Sequence, residues 1–301
     1  MSTQTLAGQV AIVTGGGKGL GRAFALDLAA AGASVVVNNR NRVVDSDGRS
    51  AADYVVDEIV AAGGQAVADY GDVADPATAA ALAAAAVNTY GRLDICITSA
   101  AVSSPEMFHK TTLENFAQVM NINVTGTALV AAAAMQVMRE AGHGRIVMVA
   151  STAGLHGEPT VSAYAASKGA VISLGRTVAA EGARKGVLTN VLLPYAATQM
   201  TESGMDPQLA ESMHAELVAP VVTALVDPTS TINGQVIVAA GSGLRVADAV
   251  EGGTVMTSGP HTADPLTPKA LADLLATSRS GPQHTYDHAQ EAFQDFVTEL
   301  S

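Results

Sequence analysis

The stretch VAIVTGGGKGLG, Val10 to Gly21, decides the fold class of this chain. Val10 to Val13 is an apolar run of strand length, and an alanine- and leucine-rich helical pattern follows Gly21. A strand, a glycine turn and a helix in this order form a phosphate-binding unit, because glycine permits a tight turn and a helix N-terminus offers free N–H groups. The spacing is G-x-x-x-G-x-G rather than the commoner G-x-G-x-x-G, and a glycine-rich loop without a ligand is the alternative interpretation.

Strand-length apolar segments alternate with helical segments along the rest of the chain. They lie at Ser34–Asn38, Gln65–Tyr70, Leu93–Thr98, Arg145–Val149, Val187–Leu193 and Gln235–Ala239. This alternation predicts an α/β fold, a Rossmann-type doubly wound parallel sheet of about seven strands. Residues 244–301 are poor in apolar residues and carry two helical patterns, so we expect a C-terminal helical extension that packs on the same domain or on a partner subunit.

The composition excludes several classes of protein. The 301 residues are 48% hydrophobic and 15% charged, which is typical of a globular chain. A net charge of −12 without a Lys/Arg-rich window argues against a nucleic-acid partner. The single cysteine, Cys96, lies in an apolar run and is expected to be a buried, inert thiol.

The sequence has neither of two patterns that direct proteins to the secretory pathway or into a membrane. The N-terminal MSTQTLAG has no basic segment followed by an apolar core, so we expect no secretory signal peptide. The apolar run from Ala128 to Met138 is too short to span a bilayer, and we expect no membrane partner. The expected location is cytoplasmic.

The end of the second strand indicates which dinucleotide the glycine turn would bind. An acidic residue at this place holds the ribose of NAD. This chain has Asn38, Asn39 and Arg40 instead, and Lys18 lies in the glycine turn. Arg40 and Lys18 can pair with a 2′-phosphate, which favours NADP(H), with NAD(H) as the other possibility. The alternative interpretation is that both are solvated surface cations.

A second group of candidate residues follows the third and fourth strands, where ligands bind in open parallel sheets. Asp72 and Val73 are placed to meet an adenine, with Asp72 accepting from its amino group; otherwise Asp72 is a turn residue. Ser99 and Ala100 follow the fourth strand.

The stretch STAGLHGEPTVSAYAASK, Ser151 to Lys168, carries the candidate chemistry. Tyr164 and Lys168 are four residues apart, so they share one helix face. A neighbouring ammonium favours a phenolate, so Lys168 is expected to lower the pKa of Tyr164 into a useful range. Ser151 can donate a hydrogen bond to a substrate oxygen. Tyr-x-x-x-Lys alone is equally consistent with an ordinary helix start.

Other side chains have weaker signals. Asn123 lies in an apolar helical stretch, where a satisfied core amide is the plain interpretation. An apolar substrate pocket can be built from Met107, Phe108, His156, Tyr195, Met200 and Met205, although core packing explains each of them equally well. His109 and His156 have no carboxylate or cysteine at ligand spacing, so we predict no metal site.

Taken together, these motifs resemble the short-chain dehydrogenase/reductase family from about Gly8 to Gly243. The resemblance implies that residues 1–243 form a dinucleotide-binding catalytic domain. It identifies Asn123, Ser151, Tyr164 and Lys168 as catalytic. It implies cofactor contacts from Gly15, Lys18, Gly19, Leu20, Gly21, Arg40, Asp72, Val73, Ser99, Ala100, Tyr164, Lys168, Pro194 and Thr198. It also implies a homodimer or homotetramer, and the substrate-binding residues are expected to be Ser151, His156, Tyr164 and Tyr195.

The family assigns each catalytic residue a role. Tyr164 is the general acid in reduction and the general base in oxidation, and Lys168 lowers its pKa and holds the nicotinamide ribose. Ser151 orients the substrate oxygen, and Asn123 holds a water in a proton relay. The chain departs from the family where Asn-Asn-Ala-Gly is replaced by Thr98–Ala101, and where Pro-Gly is replaced by Pro194-Tyr195.

Within the family, the long insertion after VVVNN and the extended tail are similar to the (3R)-hydroxyacyl-CoA dehydrogenase, or 17β-hydroxysteroid dehydrogenase type 4-like, subgroup. The resemblance implies an NAD(P)(H)-dependent oxidoreductase that interconverts a secondary alcohol and a ketone. Both 3-hydroxyacyl-CoA and cyclic or steroid-like alcohols remain open as substrates. The alternative function is a catalytically idle dinucleotide sensor or scaffold, which the two altered motifs favour.

Overall fold

The computed structural model describes residues 5–40, 44, 46–198, 212–257 and 266–300. Met200 and Met205, which were candidates for the substrate pocket, lie outside these residues. The chain divides into two units, Met1–Val246 and Ala247–Ser301. The predicted boundary between residues 243 and 244 falls at the start of the last strand of the first unit.

The described part of the first unit is built on one sheet of eight strands. They are β1 Val10–Thr14, β2 Ser34–Asn38, β3 Gln65–Asp69, β4 Ile95–Thr98, β5 Gly144–Val149, β6 Val187–Tyr195, β7 Val236–Ala240 and β8 Gly243–Val246. Their order is β3-β2-β1-β4-β5-β6-β7-β8. The strands from β1 to β7 run parallel, which confirms the predicted doubly wound fold.

The strand count differs from the expected seven because β8 pairs antiparallel with β7, in the register Ile237↔Val246 and Ala240↔Gly243. Gly241 has φ +51, a left-handed conformation that lets the chain reverse within a short hairpin turn. All four residues of β8 are exposed, and the alternation Leu244-Arg245-Val246 is too short to identify a strand from the sequence.

Helices cover the sheet and lie between the strands in sequence. In the described part of the first unit they are α1 Gly19–Ala30, α2 Ala51–Ala61, α3 Pro76–Tyr90, α4 Leu113–Met120, α5 Thr127–Ala141, α6 Ala153–His156, α7 Ser162–Gly182 and α8 Ala215–Val226. Phe24 and Leu28 of α1 and Val218 and Val222 of α8 are buried in one apolar core with strand residues such as Val13. Burial of such side chains is the main force that holds the helices on the sheet.

One long helical stretch contains a local irregularity. Helices α4 and α5 are joined by a π-helical segment, Asn121–Gly126, so the chain is helical from Leu113 to Ala141. By length and composition alone this stretch is long and apolar enough to cross a membrane. In this fold α5 packs against α3, α7 and β5, as the core helix of a globular domain does.

Residues 247–257 and 266–300, the described part of the second unit, include two helices, α9 Pro268–Ser280 and α10 Ala289–Leu300. Thr267 caps the N-terminus of α9, since its side chain accepts a hydrogen bond from the N–H of Ala270. A single antiparallel bridge joins Glu251 to His284 through two backbone hydrogen bonds of 2.9 Å.

Candidate active site

A cavity of about 670 Å³ opens at the carboxyl ends of the parallel strands in the first unit. Ligands of open parallel sheets bind at this edge, because strand ends and helix N-termini converge there. Every predicted cofactor-binding residue lines the cavity: Gly15, Lys18, Gly19, Leu20, Gly21, Arg40, Asp72, Val73, Ser99, Ala100, Tyr164, Lys168, Pro194 and Thr198. Its volume is in the range of small-molecule and cofactor sites.

The glycine turn forms the floor of one end of the cavity. A Cβ added at Gly21 would lie 2.2 Å from the carbonyl oxygen of Gly15, and one added at Gly15 would lie 2.9 Å from the backbone of Ala100. Lys18 precedes α1 and its side chain makes no capping hydrogen bond, so the N–H groups of the first helical turn have no side-chain partner there. This cradle of bare backbone and free N–H groups fits a pyrophosphate.

Thr14 fixes the position of the facing loop, a role that the sequence did not suggest. Its Oγ1 accepts hydrogen bonds from the N–H groups of Ser99 at 3.1 Å and Ala100 at 3.2 Å. Ala101, which replaces a family glycine, does not have a positive φ; Thr160 is the one described non-glycine residue that does. Alanine therefore fits at this position without backbone strain.

The outer end of the cavity carries the candidate cations. Nη1 of Arg40 donates to Oδ2 of Asp72 at 2.8 Å. The two residues were predicted to contact different parts of the dinucleotide, and in the structure they form an ion pair with each other. Asn38 is buried, and its amide donates to Asp69 Oδ1 at 2.7 Å and to the carbonyl oxygen of Gly71 at 3.0 Å. Asn38 thereby joins the end of β2 to the turn that carries Asp72.

Ser151, Tyr164 and Lys168 meet at one wall of the cavity. Ser151 follows β5, whereas the other two lie on α7. The turn after Ser151 lies directly on the backbone of α7, since a Cβ added at Gly154 would be 2.5 Å from the carbonyl carbon of Lys168. The fold thus brings together the three side chains that the sequence predicted to act as a group.

The pKa of Tyr164 is shifted in the direction opposite to that expected from the sequence. Burial raises the pKa of Tyr164 above its ordinary value, and a hydrogen bond with Ser151 opposes that rise. The sequence predicted a lowered pKa through Lys168; the structure gives the opposite direction because desolvation of the phenol dominates. The phenol therefore carries its proton at neutral pH.

Lys168 is itself almost fully buried, at 3% exposure. Its Nζ donates to the carbonyl oxygen of Val149 at 2.8 Å and lies 5.5 Å from the centroid of the Tyr164 ring. Burial lowers the pKa of Lys168 to about 8, so the ammonium is present below that pH.

Asn123 lies behind this wall, in the π-helical segment, and is fully buried. Its Oδ1 accepts from the N–H of Val102 at 2.8 Å, and its Nδ2 donates to the carbonyl oxygen of Val102 and to Oγ of Ser167, both at 2.9 Å. Ser167 in turn donates to the carbonyl oxygen of Tyr164 at 2.7 Å. Asn123 therefore connects the loop after β4 to the helix turn that bears the phenol.

The substrate side of the cavity matches the sequence prediction in part. Tyr195 lines the cavity and is 46% exposed. The described lining does not include His156, which ends α6, nor Met107 and Phe108, which are exposed. The sequence reading missed Ser103, Thr152, Glu158 and Val161, which do line it. Glu158 and Val161 lie in the sequence between Ser151 and Tyr164, so their closeness to these candidate catalytic residues was the signal that could have identified them as lining residues.

Comparison with known proteins agrees with this geometry. The profile of the family described as short chain dehydrogenase matches residues 9–209. The peroxisomal multifunctional enzyme type 2 of Drosophila melanogaster is 38% identical over 282 residues, which are 92% of this chain and 46% of that protein. The 3-oxoacyl-[acyl-carrier-protein] reductase of a Synechocystis strain is 37% identical over 199 residues, 66% of this chain and 78% of that protein. The chain thus spans about half the length of the Drosophila relative.

Two solved structures share the fold. The crystal structure of a short chain dehydrogenase from Mycobacterium avium has a TM-score of 0.78 and 35% identity, and the match covers 92% of this chain and 98% of that one. The full-length Drosophila enzyme has a TM-score of 0.81 and 31% identity, covering 98% of this chain and 49% of that one. The chain belongs to the short-chain dehydrogenase family, enzymes that are oxidoreductases and use a nicotinamide dinucleotide.

Proposed function

We propose that this chain is an NADP(H)-dependent oxidoreductase that interconverts a secondary alcohol and a ketone, with Tyr164 as the proton donor in reduction and the proton acceptor in oxidation. The observation that carries the proposal is the wall formed by Ser151, Tyr164 and Lys168 beside a cavity of dinucleotide size. An idle sensor has no need of a buried ammonium beside a buried phenol, because both cost desolvation free energy.

The cofactor part of the proposal rests on the cradle and on charge. The glycine turn with the N-terminus of α1 would hold the pyrophosphate, and Arg40 and Lys18 would face a 2′-phosphate. Asn39, which also lines the cavity, is neutral and does not repel that phosphate. A bound nicotinamide dinucleotide supplies the hydride chemistry, and the chain itself handles the proton.

The proton transfer follows from the site's electrostatics. Because burial keeps Tyr164 protonated at neutral pH, its Oη can donate a proton to the oxygen of a ketone. Ser151 can donate a hydrogen bond to the same oxygen and so orient it. Lys168, charged below a pKa of about 8 and 5.5 Å from the ring, stabilises the phenolate that remains.

For the substrate, we propose a 3-oxoacyl or 3-hydroxyacyl thioester. The support is the Synechocystis relative, whose name gives it a 3-oxoacyl-[acyl-carrier-protein] substrate. The wall of the cavity near Tyr164 also bears Val102, Val161 and Tyr195, which offer apolar surface to an acyl chain. A cyclic ketone is the competing substrate class, and it is included in the test.

The test measures NADPH consumption with acetoacetyl-CoA and, separately, with a bulky cyclic ketone. We expect turnover of the thioester and a fall in kcat of at least about 100-fold in Tyr164→Phe. The dissociation constant for NADPH should change by less than about twofold, since the phenol OH makes no phosphate contact in this proposal. Tyr90→Phe is the matched control, because Tyr90 is a partly buried tyrosine outside the cavity lining.

The possible results distinguish the role of Tyr164, the substrate class and the alternative function as a sensor. A wild-type rate in Tyr164→Phe would remove Tyr164 from the mechanism. Turnover of the cyclic ketone alone would contradict the thioester assignment while leaving the oxidoreductase intact. Tight NADPH binding without turnover of either ketone or of a wider panel would favour the sensor.

A further inference from the structure

The second unit, Ala247–Ser301, has almost no hydrophobic core of its own. Among its described residues, 247–257 and 266–300, the one buried residue is Gly253, and neither α9 nor α10 contains a buried side chain. Units of this size without a core depend on a disulfide, a metal ion or association with another chain. The single cysteine, Cys96, lies in the first unit, so no disulfide can form within the second.

A cluster of potential metal ligands joins helix α10 to the segment that precedes it. Asp295 and Glu299 are one helical turn apart on α10, so their carboxylates share a face. His284 approaches that face from the preceding segment, with its Nδ1 3.2 Å from Oδ2 of Asp295. One ligand atom from each of His284, Asp295 and Glu299 can be chosen so that all lie within 4.8 Å of one another.

These separations fit a small cation after minor side-chain adjustment. Ligand atoms about 2.1 Å from a tetrahedral zinc lie about 3.4 Å from one another. The imidazole–Asp295 distance is already in that range. The backbone around His284 is fixed by its bridge to Glu251, and the hydroxyl of Tyr286 donates to Oδ2 of Asp295 at 2.5 Å. A hydrogen bond of this kind orients a ligating carboxylate.

Two further observations point to a ligand at this place. A cavity of about 160 Å³ is lined by both His284 and Glu299, together with Glu251 and Tyr286. Nε2 of His284 is inaccessible to solvent and has no hydrogen-bond partner. A buried ring nitrogen without a partner costs stability unless another group satisfies it. A metal ion bound at Nδ1, the nitrogen that faces Asp295, would place the proton on Nε2 and fix the orientation of this imidazole.

The charge around the cluster is also unbalanced. Glu251, Asp295 and Glu299 are three carboxylates near the hydroxyl of Tyr286, which donates a hydrogen bond to one of them, Asp295. Across the described residues, no lysine or arginine forms an ion pair with any of these three carboxylates. A cation would relieve their mutual repulsion.

From this geometry we propose that His284, Asp295 and Glu299 form a binding site for one divalent transition-metal ion, of which Zn²⁺ is the best fit. An imidazole together with two carboxylates suits zinc, whereas magnesium and calcium prefer ligand sets made of oxygen alone. Three protein ligands leave one position for water. The bound ion ties helix α10 to the Glu251–His284 bridge and so takes the place of the missing core.

The test uses the full chain after treatment with a chelator and its removal. Zn²⁺ is titrated in competition with a chromophoric chelator, and we expect one ion per chain, with millimolar Mg²⁺ unable to displace it. His284→Asn should weaken the affinity by about 100-fold or more. His288→Asn is the matched control: this histidine lies in the same segment, outside the cluster, and its Nδ1 accepts from the N–H of Glu291 at 3.3 Å.

A second measurement keeps the test valid if His284→Asn disturbs the unit. Glu299→Gln changes an exposed side chain and should also lower the Zn²⁺ affinity, while circular dichroism checks that the helices remain. The proposal is overturned if the wild type binds no stoichiometric zinc. It is equally overturned if His284→Asn and His288→Asn bind zinc as tightly as the wild type, since the metal would then lie elsewhere.

Discussion

Arg40 and Asp72 form an ion pair at the rim of the cavity, with Nη1 and Oδ2 2.8 Å apart and both side chains about a third exposed. The two residues come from the loops after β2 and β3. Because Asp72 also accepts from the N–H of Ala74 at 3.1 Å, the carboxylate is held in place while the longer arginine can move. A 2′-phosphate would therefore compete with Asp72 for the same guanidinium.

The competition predicts opposite effects of two substitutions on cofactor preference. Arg40→Ala should weaken NADPH binding by about tenfold, or about 1.4 kcal/mol, and leave NADH nearly unchanged. Asp72→Asn should tighten NADPH relative to NADH, because Arg40 loses its competing partner. Dissociation constants measured by fluorescence titration of both cofactors check this. Arg245→Ala, on the exposed strand β8, is the control, and equal effects of Arg40→Ala on the two cofactors would contradict the assignment.

The buried ammonium of Lys168 predicts a pH-dependent stability. The pKa of Lys168 is about 8 in the fold against an ordinary value of 10.5, so the unfolded chain binds more protons between these values and stability rises with pH across that window. Relative to Lys168→Met, the wild type should therefore gain about 2 kcal/mol in free energy of unfolding between about pH 7.5 and 10. Urea unfolding of both proteins at each pH is the measurement.

A surface lysine provides the comparison for this effect. Lys185 lies in the exposed turn after α7, and Lys185→Met, measured over the same pH range, is the matched lysine-to-methionine control. A difference for Lys168→Met that stays constant over the same range would mean that the ammonium is not desolvated.

The hydrogen bonds of Asn123 predict a structural penalty with a catalytic consequence. Asn123→Ala leaves the backbone N–H and carbonyl of Val102 and the hydroxyl of Ser167 with one partner fewer inside the protein. We expect a loss of about 3 kcal/mol in free energy of unfolding. We also expect a fall in kcat larger than the change in KM, because Ser167 holds the backbone of Tyr164.

The neighbouring Asn121 is the matched control, since it is exposed in the same π-helical segment. Asn121→Ala should change the free energy of unfolding by less than about 0.5 kcal/mol. If Asn123→Ala were as stable as Asn121→Ala, the three hydrogen bonds would carry no net stability.

The sequence predicted those parts of the molecule that depend on local pattern. The strand and glycine turn of Val10–Gly21 were recognisable because buried parallel strands are continuous apolar runs and because only glycine fits the turn. Tyr164 and Lys168 could be grouped because they are four residues apart on one helix face, and Ser151 could be added because it follows a predicted strand at the edge where ligands bind. Their mutual placement follows from topology, which the alternation of strand and helix already implied.

The features that the sequence did not predict depend mostly on contacts between segments that are distant in the chain. The Arg40–Asp72 pair joins two loops, and the sign of the Tyr164 pKa shift depends on how deeply the phenol is buried. The exposed strand β8 has only four residues, so its Leu-Arg-Val alternation was too short to identify it, although a Gly-Ser turn before it was a usable signal. His284 lies eleven residues before Asp295, a spacing that matches no common metal motif, so the prediction of no metal site rested on spacing alone.

The absence of buried apolar side chains in residues 247–257 and 266–300 has a calorimetric consequence. The heat capacity change of unfolding arises mainly from the exposure of apolar surface. The second unit should therefore melt over a broad range with a small enthalpy and almost no heat capacity step. A scan of the whole chain would record the first unit alone, and removal of residues 247–301 would leave its calorimetric baseline nearly unchanged.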